Sequence, residues 1–166
     1  EDMKAAGCRI FLLSNAQADF TNPEIDLVGL REIFHAIYLS SDAGIRKPQP
    51  EFLLEVMKEH QLNPEKTVMV GNDFTTDIAV AQSIGMESIL INTFPYSEAE
   101  LREKNQAGVR VIRDIQELQE DWSLSLILGG PVASFSIENV TVEQDLSKFP
   151  FHGILWELIL LRRLKW

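Results

Sequence analysis

Val68-Met69-Val70-Gly71-Asn72-Asp73-Phe74-Thr75-Thr76-Asp77-Ile78 is the stretch on which the reading of this chain turns. Thr67 to Val70 is a short apolar run, the pattern of a strand buried on both faces. Gly71 interrupts it, and Thr75 to Ile84, closed by Gly85, predicts a helix. A strand that passes directly into a helix carries the residues between them to one edge of a sheet, and here those residues are acidic. Asp73 and Asp77 are four apart, so both face one side at the helix amino terminus. Hard carboxylate oxygens at a strand end suit Mg²⁺, which takes few carboxylates and keeps several waters. A plainer role is also open: Asp73 as an N-cap and Asp77 as a favourable charge on the helix dipole.

Working outward, the same alternation repeats. Glu1 to Ala6 reads as the end of a helix capped by Gly7, and Arg9 to Leu13 as a strand running into Ser14-Asn15. A hydroxyl and a run of backbone N–H groups at such a strand end can clamp phosphate oxygens, although Ser-Asn is also ordinary turn chemistry. Pro23 to Phe34 predicts a helix with Pro23 near its first turn, and Ala36 to Leu39 a short strand. Next comes Arg46-Lys47-Pro48, with Pro50 opening a helix to Gln61 on which Phe52, Leu53, Val56, Met57 and His60 recur at helical spacing. Proline restrains the backbone at Lys47, and an ammonium fixed there can neutralise a carboxylate and a phosphoryl group together. The alternative is a solvated basic pair in a loop. Ser88 to Ile91 and Val109 to Ile112 read as further strands, and Asp114 to Glu120 as a last helix. Strands separated by helices imply an α/β, Rossmann-like, three-layer fold: a parallel sheet with flanking helices and its site at the strands' carboxyl ends.

Each motif alone is weak, but their order is specific. A strand into Ser14-Asn15, a Lys47-Pro48 before a helix, and a strand into Gly71-Asn72-Asp73-x-x-x-Asp77 resemble motifs two, three and four of the haloacid dehalogenase-like hydrolases, over about residues 1–118. A receiver-like phosphoacceptor also uses an acid, a hydroxyl and a lysine, but there the order of motifs differs. The resemblance implies a Mg²⁺-dependent phosphatase acting on phosphate monoesters through an aspartyl-phosphate. It gives Ser14 and Lys47 catalytic roles, with Ser14, Asn15 and Lys47 binding the substrate phosphate. It gives the metal to Asp73 and Asp77, directly or through water, with Asn72 as a secondary ligand, because many members read Gly-Asp where this chain reads Gly71-Asn72. The implied partner is a small phosphorylated metabolite.

Composition sets the outer limits. The chain has 166 residues, enough for one ordinary domain, and a net charge of −10, which disfavours a nucleic-acid surface. Its one cysteine, Cys8, lies in an apolar run and reads as core. No apolar run approaches the ~18 residues of a membrane span, so a cytoplasmic protein without membrane or nucleic-acid partners is the expectation. His35, His60 and His152 have no ligand-spaced partners. Residues 1–120 are assigned to the catalytic core and 121–166 to a tail without an assignment, in which Ser134 to Val142 alternates weakly and Leu155 to Trp166 is Leu-rich.

One family feature is absent. The nucleophile of the resembling family comes from an Asp-x-Asp at the end of its first strand, and no Asp-x-Asp occurs here. The expectation is therefore an incomplete core without first strand, nucleophile and cap: a fragment inactive alone, its missing N-terminal half a possible partner. The alternative is a catalytically inactive binding or interaction module. In the family the missing strand lies between those ending at Ser14 and Gly71. Its loss would leave buried backbone groups unpaired, at roughly 1–3 kcal/mol each. A gap or marginal stability is the first expectation, insertion of tail residues Leu124–Leu128 the second, and direct pairing of the two strands the third.

Overall fold

The computed structural model describes residues 7–92, 96–118 and 125–129. The expectations for Glu1–Ala6, Ser134–Val142 and Leu155–Trp166 lie outside the described residues. The elements run β1 (Ile10–Ser14), α1 (Ala18–Leu27), β2 (Ala36–Leu39), α2 (Ser40–Ala43), α3 (Pro50–Glu59), β3 (Thr67–Gly71), α4 (Ala79–Ser83), β4 (Glu87–Ile91), α5 (Glu98–Lys104), β5 (Arg110–Ile112) and β6 (Ser125–Gly129). Among the described residues six strands form one sheet in the order β2-β1-β6-β3-β4-β5, with every neighbouring pair parallel. The α/β reading, with a Rossmann-like parallel sheet, holds.

Why the strands read as unbroken apolar runs is visible in the two cores. Ile10 and Leu12 of β1, Val68 and Val70 of β3 and Leu128 of β6 pack on one face with Ile25 and Val28. Phe11 and Leu13, Met69 and Ile127 pack on the other with Phe52, Leu53, Val56 and Met57 of α3 and Val80 and Ala81 of α4. Alternate residues of each strand therefore enter opposite cores.

The centre of the sheet corrects the expectation of a gap. There is no gap between β1 and β3: β6 fills it. Leu12 stands opposite Leu128 and Met69 opposite Ile127, so one tail strand pairs with both neighbours. The second-ranked expectation was the right one, displaced by one residue to Ser125–Gly129. Ile127 is fully buried and Leu128 6% exposed, so the strand fills both cores as well as both ladders.

Two helix boundaries also differ from expectation. The helix expected at Pro23–Phe34 occupies Ala18–Leu27, with Pro23 inside it. It ends at Gly29, whose φ of 68° lets Leu30 N–H reach the Ile25 carbonyl and Gly29 N–H the Asp26 carbonyl. That closure separates it from the turn of 3₁₀ helix at Arg31–Ile33. The helix expected at Thr75–Ile84 opens instead as a π-helical turn, Phe74–Ile78, before α4. There the Asp73 carbonyl accepts both Asp77 N–H and Ile78 N–H, at 3.1 Å each, a widening often met at functional sites. The last expected helix is only a 3₁₀ turn, Ile115–Leu118. By contrast α5 was not anticipated, although Ser97 and Glu100 form a reciprocal capping box at its start. Among the described residues no helix is long and apolar enough to cross a membrane.

Candidate active site

The chain leaves β1 toward β2 at one edge and leaves β3 toward β4 and β5 at the other, so the connections diverge on either side of β6. A parallel sheet opens a crevice at the carboxyl ends of its strands where the winding reverses. Ser14-Asn15, Gly129 and Gly71-Asn72-Asp73 all lie at that edge.

Lys47 is the centre of the arrangement. Its side chain, 1% exposed, crosses from the loop before α3 to the strand ends. Nζ donates to the Leu13 carbonyl at 2.6 Å and to Asp77 Oδ1 at 2.6 Å. The loop itself is held by Asn15, whose Oδ1 accepts the Lys47 N–H at 2.8 Å and whose Nδ2 donates to the Lys47 carbonyl at 2.9 Å. Asn15 was expected at the phosphate; the structure places both ends of its amide on the backbone of Lys47. Burial pushes the Lys47 pKa down, while the Asp77 carboxylate, and Asp73 beyond it, push it back up.

Asp77 is committed on both oxygens. Besides accepting from Lys47, its Oδ2 accepts the Asn72 N–H at 3.0 Å and the Asp73 N–H at 3.2 Å. It reaches the strand end only because two glycines leave room. A Cβ on Gly71 would overlap the Asp77 side chain, and a Cβ on Gly129 would overlap its carboxylate and crowd the Met69 methyl. Gly129→Ala should therefore cost about 1–3 kcal/mol, as overpacking does. A chemical-denaturation midpoint unchanged from wild type would contradict this packing.

Asp73 is differently placed. It is partly exposed, and its Oδ1 caps the π-helical turn by accepting from Thr75 N–H at 2.5 Å and Thr75 Oγ1 at 2.6 Å. Ser14 is 4% exposed and closes β1 immediately after the carbonyl that Lys47 binds. The structure thus brings Ser14, Lys47, Asp73 and Asp77 to one edge, as the motifs required. For a divalent cation the donors fit only in part. Asp77 is spent on Lys47 and two backbone N–H groups, which leaves Asp73 with Asn72 beside it. Among the described residues no cluster of three or more His, Cys, Asp or Glu is placed to hold a metal.

Sequence reasoning missed Asn92 and Tyr96. Asn92 follows β4 and pairs with both main-chain groups of Tyr96, accepting its N–H at 3.0 Å and donating to its carbonyl at 3.3 Å. The Tyr96 ring lies 5.4 Å from that of Phe74, beside Asp73. A signal was available: the strands β1, β3 and β4 are each followed at once by asparagine, at Asn15, Asn72 and Asn92.

Comparison with known proteins bears on the family and the fold. The family described as haloacid dehalogenase-like hydrolase matches residues 1–91. A glyceraldehyde 3-phosphate phosphatase from Methanothermobacter thermautotrophicus is 33% identical over 120 residues, 72% of this chain and 53% of that protein. A phosphoglycolate phosphatase from Colwellia psychrerythraea is 30% identical over 106 residues, 64% of this chain and 45% of that protein. The chain thus spans about half the length of these curated relatives. The crystal structure of a HAD phosphatase from Thermococcus onnurineus superposes with a TM-score of 0.62 at 21% identity, over 74% of this chain and 54% of that one, which bears on the fold alone. Family match, motif order and the gathering of the motifs at one sheet edge agree: this chain belongs to the haloacid dehalogenase-like hydrolases.

Proposed function

We propose that this chain carries the phosphate-binding and charge-neutralising half of a phosphatase for small phosphate monoesters, without the carboxylate nucleophile. The observation that supports it most directly is Lys47: an ammonium buried at the carboxyl edge, oriented by Leu13 and Asp77. An ammonium has three protons, and those two bonds use two of them. The third, with the Ser14 hydroxyl, would bind phosphoryl oxygens, and the fixed cation would offset charge that develops in transfer. Asp77 orients Lys47, and Asn15 holds its backbone. Asp73, with Asn72 beside it, would hold Mg²⁺, which when bound supplies further charge neutralisation at phosphoryl oxygens. The related phosphatases act on glyceraldehyde 3-phosphate and phosphoglycolate by name, which fits a small substrate here.

The position that the family gives to its nucleophile strand is held by β6, and β6 ends in Gly129 against Asp77. The chain alone should therefore bind orthophosphate but not turn over p-nitrophenyl phosphate with Mg²⁺, since losing a covalent nucleophile costs several orders of magnitude in rate. Binding is read by calorimetry and should weaken in Ser14→Ala; turnover is read as nitrophenolate release. Turnover by the wild-type chain that Lys47→Ala removes would reveal a nucleophile within the chain. Failure to bind orthophosphate at all would overturn the phosphatase reading.

A further inference from the structure

We propose that Tyr96 is a specificity-determining residue of this site, contacting the organic part of the phosphate ester; this rests on the phosphatase reading above. Tyr96 follows no motif and belongs to neither core, yet its backbone is held on both sides. The Asn92 side chain holds its N–H and its carbonyl. The next residue, Ser97, starts α5 with a reciprocal capping box, which sets the direction in which the chain leaves. The ring packs against Phe74 at 5.4 Å with the planes tilted 56°, in the range of a favourable aromatic pair. Phe74 begins the π-helical turn whose cap is Asp73 and whose fourth residue is Asp77. The phenol accordingly lies in the field of the site: after burial, the Asp73 carboxylate is the main influence raising its pKa, while a hydrogen bond from the Phe74 backbone lowers it.

Three things follow from chemistry alone. A phenol is protonated at neutral pH, so its O–H can donate. An O–H donor on that wall complements a hydroxyl or carbonyl oxygen on a short carbon chain. The paired rings add an apolar wall, which a bare phosphate ion would not use. Tyr96 should therefore distinguish a phosphate ester from inorganic phosphate, whereas Lys47 and Ser14 should not.

The chain contains two tyrosines, Tyr38 and Tyr96, so 3-fluorotyrosine labelling yields two ¹⁹F resonances. Tyr38 is engaged elsewhere, donating to Glu59 at 2.6 Å and meeting His60 Nε2 at 2.8 Å, and serves as an internal control. Glycerol 3-phosphate titrated into the full chain should move the Tyr96 resonance and leave that of Tyr38 in place. Inorganic phosphate should move the Tyr96 resonance far less. The ester should bind about 2–10-fold tighter than inorganic phosphate, the range of one neutral hydrogen bond. Tyr96→Phe should lose most of that ratio without changing phosphate affinity, and Tyr96→Leu should abolish it. A still Tyr96 resonance while both ligands bind would overturn this proposal and leave the phosphatase reading standing. Absence of binding by either ligand would overturn both. The wild-type resonances decide the matter even if a variant fails to fold.

Discussion

Lys47→Met should destabilise the chain by about 3–5 kcal/mol in urea unfolding, the cost of removing one partner from a buried ion pair. Asp77 would then remain 1% exposed with its Oδ1 facing no cation. Asp77→Ala should cost a similar amount, because it strips the counter-ion from Lys47 and the acceptor from the Asn72 and Asp73 N–H groups. The double variant Lys47→Met/Asp77→Leu should lose much less than the sum of the two, since neither charge is left stranded. Strict additivity, or single losses below about 1 kcal/mol, would show that the two side chains do not form the buried pair described here. The prediction matters for function as well as stability. A cation held this way needs no reorganisation when a phosphoryl group arrives, which is the condition under which electrostatic stabilisation is most effective.

Ile127→Asp should unfold the chain, and Ile127→Ala should cost about 2–5 kcal/mol. Ile127 has no exposure, and β6 is the shared neighbour of β1 and β3. In the wild-type chain the amides of Phe11–Leu13 and Val68–Val70 should exchange only through global opening. In Ile127→Ala their protection should fall together and by the same free energy, because one strand supports both ladders. If the amides of β1 and β3 exchange freely in the wild-type chain, or keep their protection in Ile127→Asp, then β6 does not hold the centre of the sheet.

The elements legible in the sequence are those whose pattern carries its own cause. The apolar runs of β1 and β3 read as strands buried on both faces, and α3 showed its core side as Phe52, Leu53, Val56 and Met57. The motif residues Ser14, Lys47, Asp73 and Asp77 were legible because a parallel sheet gathers its loops at one edge whatever the details of the helices. Helix limits were less legible: Gly29 ends α1 through its left-handed φ, and Pro23 proved compatible with the interior. The alternation of strand and helix, together with motif order, was sufficient by itself to determine the fold class and the family.

Only the tertiary structure decided the rest. Ser125–Gly129 has the same apolar character in any context; that it belongs in the middle of the sheet depends on two unpaired ladders far away in sequence. The role of Asp77 depends on Lys47, thirty residues away, and on two glycines from different strands that leave space for its carboxylate. The place of Tyr96 depends on Asn92 and on the ring of Phe74. Apart from the Asn92–Tyr96 bonds, which span four residues, these deciding contacts join residues distant along the chain. Local pattern reports what a segment can become, whereas long-range pairing and close packing select where it is placed.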